Sequence, residues 1–124
     1  MNEHSGRSLL PGTLRERLRK GHFVMTAELV PPLSCDAEEL LCKAAALKGL
    51  ADAVNVTDGA GARAHMSALA GASLILQAGI EPILQMTCRD KNRLALQSEM
   101  MGAGAGAIGD VNGVGEAFER SGLA

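Results

Sequence analysis

Apolar positions along the chain fall into short runs that alternate with stretches of helical period. After a polar start, "TLRERLRKG" puts Leu14 and Leu18 four apart, which predicts a short lead-in helix closing an N-terminal segment of residues 1–21. "HFVMTAELVPP" is rich in strand formers and must stop at Pro31-Pro32, because proline cannot donate to a ladder and restrains the residue before it. Asp36 and Glu39 have capping-box spacing, and Leu40, Leu41, Ala44, Ala45 and Leu47 continue the helical period until Gly49 offers a C-cap. The same order returns twice. "ADAVNVTDGAGA" reads as a strand and Gly-rich turn before the helical "AHMSALAGASLILQAG", and "EPILQMTCRD" reads as a strand before the helical "KNRLALQSEMMG". Strands separated by helices of this length pair in parallel through right-handed crossovers, so the class is α/β. Spacing alone fits an open doubly wound sheet or part of a (β/α)8 barrel.

Residues 22–105 hold three such units, and the pattern then breaks. In "GAGAGAIGDVNGVGEAFERSGLA" Gly and Ala alternate where a fourth strand is due, and glycine packs nothing in a strand interior. Only Ala107 and Ile108 look strand-like, so residues 106–124 are expected to be an irregular Gly-rich tail. A full barrel takes about 250 residues, roughly twice what is present. With 124 residues, 47% hydrophobic and 21% charged, the chain is a single domain with a modest core. Twelve Lys and Arg against 14 Asp and Glu, no Trp or Tyr and two Phe offer no basic groove with stacking aromatics, which argues against nucleic acid. The longest apolar runs fall well short of the roughly 20 residues that span a bilayer, and no secretory leader is visible, so a cytoplasmic location without membrane contact is expected. Three cysteines without a CxxC pair fit reduced thiols.

Chemistry gathers at the three strand ends, which share one rim if the strands are parallel. Glu28, in "TAELVPP", lies between apolar neighbours; loss of solvation there favours its neutral form and suits it to donate a proton. A solvated carboxylate or a structural partner for an arginine fits the same pattern. In "NVTDGAGA", Thr57 and Asp58 offer a hydroxyl and a carboxylate, and Gly59 and Gly61 allow close backbone approach to a ligand, although a purely structural turn fits too. In "PILQMTCRDKNRLALQ", alternation sends Gln85 and Thr87 to one face and Met86 and Cys88 to the other. Asp90 is expected to cap the next helix and Cys88 to act as a small buried hydrophobe. His4, His22 and His65 are scattered, without HExxH or a Cys/His cluster, so no metal site is expected.

"AELVPP", "VNVTDGAGA" and "AGIEPILQMTCRDKNRLALQSEMMGAGA" together resemble the N-terminal part of the methylenetetrahydrofolate reductase family, flavoproteins built on a (β/α)8 barrel. The resemblance covers about residues 22–105, and "LQMTCRDKNRLALQ" is its most specific piece. It implies reduction of 5,10-methylenetetrahydrofolate to the 5-methyl form with FAD and with NADH or NADPH as donor. Glu28 matches the family's catalytic acid, which protonates the bridging folate nitrogen; opening of the methylene bridge then leaves an iminium that accepts hydride. Thr57 resembles the threonine near nicotinamide and flavin, Asp58 and Ala60 fall at turn positions that touch the flavin, and Gln85 sits where members place a side chain against it. Gly109-Asp110 looks like the Gly-Asp pair that ends the family's fourth strand, but without a full strand before it the role is not carried to Asp110. The resemblance implies a folate substrate and about three β-α units of a barrel. A homo-oligomer or a complementing barrel fragment would then supply the rest. A catalytically inactive fragment or interaction module, and another barrel enzyme acting on a pterin or a phosphorylated metabolite, are the alternatives.

Overall fold

The computed structural model describes residues 12–112. The order is α1 (Leu14–Arg19), β1 (Thr26–Leu29), α2 (Ala37–Ala45), β2 (Ala53–Val56), a 3-10 turn (Ala60–Ala62), α3 (Ala68–Gln77), β3 (Pro82–Gln85), α4 (Arg93–Ala105) and β4 (Asp110–Asn112). The four strands form one sheet in the order β1-β2-β3-β4, every pair parallel. Strands that are neighbours both in sequence and in space, joined by helices, make the sheet grow in one direction, as in a (β/α)8 barrel. No described helix is long and apolar enough to cross a membrane.

Alternation along the strands gives the sheet two different faces. On the first, Leu29, Val54, Val56 and Leu84 pack against Leu40 and Ala44 of α2, Ala68, Ala72 and Ile75 of α3, and Leu96 and Ala103 of α4, which is the main core. Gly71 lets α3 sit close to the sheet, since a Cβ there would lie 3.1 Å from Val56 Cγ1. The second face is covered at its lower end by α1, where Leu14 meets Ala53 and Ile83. Polar links fix that helix. The Leu14 N–H donates to both carboxylate oxygens of Glu81, at 3.1 and 2.9 Å, and Arg17 Nη1 donates to Asp52 Oδ1 at 3.2 Å in a buried ion pair. The lead-in helix thus forms as expected, but its buried side is Leu14 and Arg17, while Leu18 is 54% exposed. A helix of six residues offers the sheet little more than one turn, and the Arg17–Asp52 pair decides which side of it is held.

The segment expected to be irregular from residue 106 contains a fourth strand. Asp110, Val111 and Asn112 pair with Ile83, Leu84 and Gln85 of β3. The Gly-Ala alternation before it belongs largely to the end of α4, where the bare Gly102 lies against Leu69 of α3. Ala107 and Ile108, the strand-like pair in the sequence, instead make the turn into β4: Ala107 takes φ +61° and Ile108 is buried in the core. Residues 1–11 of the lead-in segment and 113–124 of the tail lie outside the described residues.

Candidate functional site

Above α1, the second face carries the polar side chains. Glu28 on β1 is in register with Asn55 on β2, Thr57 follows two residues later on the same side, and Gln85 ends β3 on that side. Met86 is fully buried in the main core and Cys88 packs against it, so the two facing sets of β3 lie as alternation predicts. Glu28 itself is exposed, so the loss of solvation expected between its apolar neighbours does not occur in this structure. Thr57 is the reverse case: it is 6% exposed, and its Oγ1 has no hydrogen-bond partner among the described residues. Asn55 Oδ1 is also buried and unmatched, while Asn55 Nδ2 donates to Ala27 O at 3.5 Å. Orphaned polar atoms of this kind mark places where a bound group or an ordered water completes the bonding. Asn55 went unnoticed in the sequence because a lone Asn inside a strand has no signature of its own.

Side chains stitch the turns above the strands to one another. Asp58, at the turn after β2, accepts from the Thr87 N–H at 2.9 Å, from Thr87 Oγ1 at 3.2 Å and from Lys91 Nζ, all on the turn after β3. Burial pushes the Asp58 carboxyl up, but the Lys91 hydrogen bond, the Thr87 N–H, the Lys91 charge and the Thr87 hydroxyl together hold it below the usual aspartate range. Lys91 also reaches Glu99 of α4 at 3.4 Å. Arg89 Nη2 donates to Gly59 O at 3.1 Å and its Nε to Asp90 Oδ2 at 2.8 Å. Asp90 is therefore an exposed ion-pair partner and not the helix cap; Asn92 caps α4, its Oδ1 accepting from the Ala95 N–H at 2.9 Å. The helix starts at Arg93, so only the residue directly before it can reach the free N–H groups of the first turn. On the other side, His65 lies between Pro31 O and Ala60 O, at 2.7 Å from Nδ1 and 3.0 Å from Nε2. Lys91 was not picked out from the sequence and His65 only as a scattered histidine; Lys91 acts on Asp58, 33 residues away, and His65 on Pro31, 34 residues away, and spacing carries no trace of that.

The described residues thus present three parallel β-α units and a fourth parallel strand, with acid, hydroxyl and amide side chains at the ends of the first three strands. The sequence profile of methylenetetrahydrofolate reductase matches residues 13–111. The chain belongs to this family. No individual curated protein matches it. Methylenetetrahydrofolate reductases are flavin-using enzymes of folate one-carbon reduction on a TIM barrel, and the sheet here has the order and direction of part of such a barrel. The match runs from α1 into β4 and takes in the fourth strand. Asp110 opens β4 rather than ending it, and shares a cavity of about 530 Å³ with Glu81, Arg15 and Gly109 at the end of the sheet where α1 docks. That is the start of the strand, whereas the Gly-Asp pair it resembles ends one. Burial pushes the Glu81 carboxyl up; the Leu14 N–H opposes this, and the neighbouring Asp110 adds to it.

Proposed function

We propose that this chain carries the acid and part of the cofactor rim of a 5,10-methylenetetrahydrofolate reductase, working with FAD and with NADH or NADPH to give 5-methyltetrahydrofolate. The observation that carries the reading is the common face: Glu28, Thr57 and Gln85 lie at strand ends on the side of the sheet away from the packed core. In an α/β protein that rim is where ligands bind.

The residues present fit a flavin at that rim. Among the described residues, Oγ1 of Thr57 and Oδ1 of Asn55 are unmatched and leave polar valence unfilled, and none lies within 4 Å of the position a Cβ on Gly61 would take, so a ligand can approach the backbone of that turn. Thr57 and Gln85 would contact the flavin through hydroxyl and amide, and Ala60 through the turn. Asp58 is given a different part from simple contact: its carboxylate is already engaged by Thr87 and Lys91, so it holds the turn in shape. When bound, the flavin supplies the hydride. Glu28, exposed on the same face, is the group that would deliver a proton to the bridging nitrogen of the folate. The test is Glu28→Gln in an assembly that turns over: flavin binding and reduction by the nicotinamide persist, while folate reduction falls by about 100-fold or more. Near-normal folate turnover in this variant would remove Glu28 from the role.

A second reading rests on the exposure of Glu28 and on the outer edge of β1, which pairs with no other strand among the described residues. Under it the chain is a catalytically inactive barrel piece or interaction module that needs a second copy or a complementing partner. The visible spectrum of the purified chain separates the two: a yellow protein supports the flavoenzyme, and a colourless one supports the second reading.

A further inference from the structure

We propose that His65 is a positioning residue of the rim: a clamp between the turn after β1 and the turn after β2 that closes fully only when its imidazole carries both ring protons. Each ring nitrogen faces a carbonyl oxygen, Nδ1 at 2.7 Å from Pro31 O and Nε2 at 3.0 Å from Ala60 O. A carbonyl oxygen can only accept. A neutral imidazole has one N–H and so satisfies one of the two, leaving a nitrogen lone pair against an oxygen lone pair; the imidazolium donates to both.

The two ends of the clamp differ in rigidity. Pro31 is fully buried, and the adjacent Pro32 O accepts from the Met66 N–H at 2.8 Å, so this end stays fixed whatever the ring does. The Ala60 end lies in a turn with three left-handed residues, Gly59 at φ +59°, Gly61 at φ +65° and Ala62 at φ +57°. Ala62 has a side chain, which disfavours that region, and such a conformation persists only where surrounding contacts hold it. Gly59 is held by Arg89, and Asp58 by Thr87 and Lys91, all from the turn after β3. Ala60 is held from the opposite side by His65. Besides the Arg63 N–H within the turn, at 3.4 Å, the His65 ring is what ties the Ala60 carbonyl to β1's turn, so that tie depends on the protonation of one ring. The charged groups on the surrounding segments are Glu28 on β1, Asp36, Glu38 and Glu39 at the start of α2, Asp58 and Arg63 on the turn after β2, and Arg89, Asp90 and Lys91 on the turn after β3. Asp58 is neutralised by Lys91 and Arg89 is paired with Asp90.

The clamp stands on geometry alone; its consequence for flavin rests on the proposed function, through Ala60. The experiment is a pH series from 5 to 8.5 on the full chain, following the His65 ring by long-range proton–nitrogen NMR and the amides of residues 60–62 by hydrogen exchange. The expected result is an imidazolium pattern at the acid end. As the ring loses a proton, exchange at residues 60–62 should accelerate by about tenfold beyond the intrinsic pH effect, measured against residues of β2. His65→Gln, which keeps one donor group, should abolish that excess, and His22→Gln should leave it in place. A neutral ring throughout, or the same excess in His65→Gln, would overturn the clamp; the wild-type series alone decides the matter if the variant does not fold. FAD titrations at both ends of the series form a separate arm. Weaker binding at high pH extends the clamp to the cofactor, whereas an exchange response without any change in FAD affinity counts against the flavin reading of Ala60 and leaves the clamp intact.

Discussion

Asp58, just past the end of β2, and Glu81, just before the start of β3, are carboxylates at opposite ends of the sheet, and their surroundings push them in opposite directions. The Asp58 carboxyl is held low, chiefly because the Lys91 and Thr87 bonds outweigh its burial. It contributes stability that is present above the ordinary aspartate value and is lost as pH falls through the lowered one. Asp58→Asn should therefore cost about 1–2 kcal/mol at neutral pH, solvent screening at the half-open rim included, with the gap to wild type closing in acid. Denaturant titrations at pH 7 and pH 3.5 measure both, and a gap that is the same at the two values would contradict the Lys91 pairing. Glu81 is pushed up, first by burial and then by Asp110. Its contribution is full below the ordinary glutamate value and is lost as pH rises through the raised one, so at neutral pH the ionised group works against the fold. Glu81→Gln keeps an acceptor for the Leu14 N–H and gives Asp110 a donor. It should raise Tm at pH 7 and leave it nearly unchanged at pH 4; a lower Tm at pH 7 would mean that the charged form is the one α1 needs. The opposite facing of Gln85 and of Met86 with Cys88 was legible from alternation alone. The engagement of Asp58 was not, because its partners Thr87 and Lys91 are 29 and 33 residues away in sequence.

Elements were legible where period and punctuation agreed. All three strand-helix units expected between residues 22 and 105 form, and Asp36 caps α2 by accepting from the Glu38 and Glu39 N–H groups. The reciprocal half of that capping box is missing, since the Glu39 carboxylate pairs with Lys43 instead. A complete box occurs at α1, where Thr13 and Glu16 exchange both bonds. The Thr-x-x-Glu spacing is visible in the sequence, but the apolar stripe drew attention to Leu18. β4 was missed because composition argued against a strand, and its three residues are held by pairing with β3 and by the buried Ile108 more than by any propensity. Gly71 shows how a helix face depends on one atom. Gly71→Val would drive side-chain carbon into Val56 and toward Pro31 and Leu40, and should destabilise the fold by about 1–3 kcal/mol. Gly102→Ala meets only Leu69 at 3.4 Å and should be tolerated, gaining helix propensity of up to about 1 kcal/mol. Equal losses from the two, read by thermal melts, would mean that α3 does not pack as closely on the sheet as described.

Four parallel strands make one sheet whose second face is covered only at its α1 end among the described residues. Phe23 is 81% exposed on the segment leading into β1, and the outer edge of β1 has backbone groups that no described strand engages. Unpaired edges and apolar surface of this kind invite another chain. The 124-residue chain should accordingly elute from size exclusion as an oligomer, and FAD should bind it weakly until a partner, a second copy or a complementing half, closes the sheet. A compact monomer holding stoichiometric flavin would show that the sheet needs no such closure. The face bearing Met86 and Cys88 is core, and the central proposal is that the opposite face, with Glu28, Thr57 and Gln85, is the cofactor side. FAD titration of the wild type, Gln85→Leu and Cys88→Ala, followed by flavin fluorescence, tests it most directly. The predicted result is a Kd raised by about tenfold in Gln85→Leu, the value of one lost hydrogen bond, with Cys88→Ala within about twofold of wild type. Equal weakening in the two variants, or a larger loss in Cys88→Ala, would contradict it.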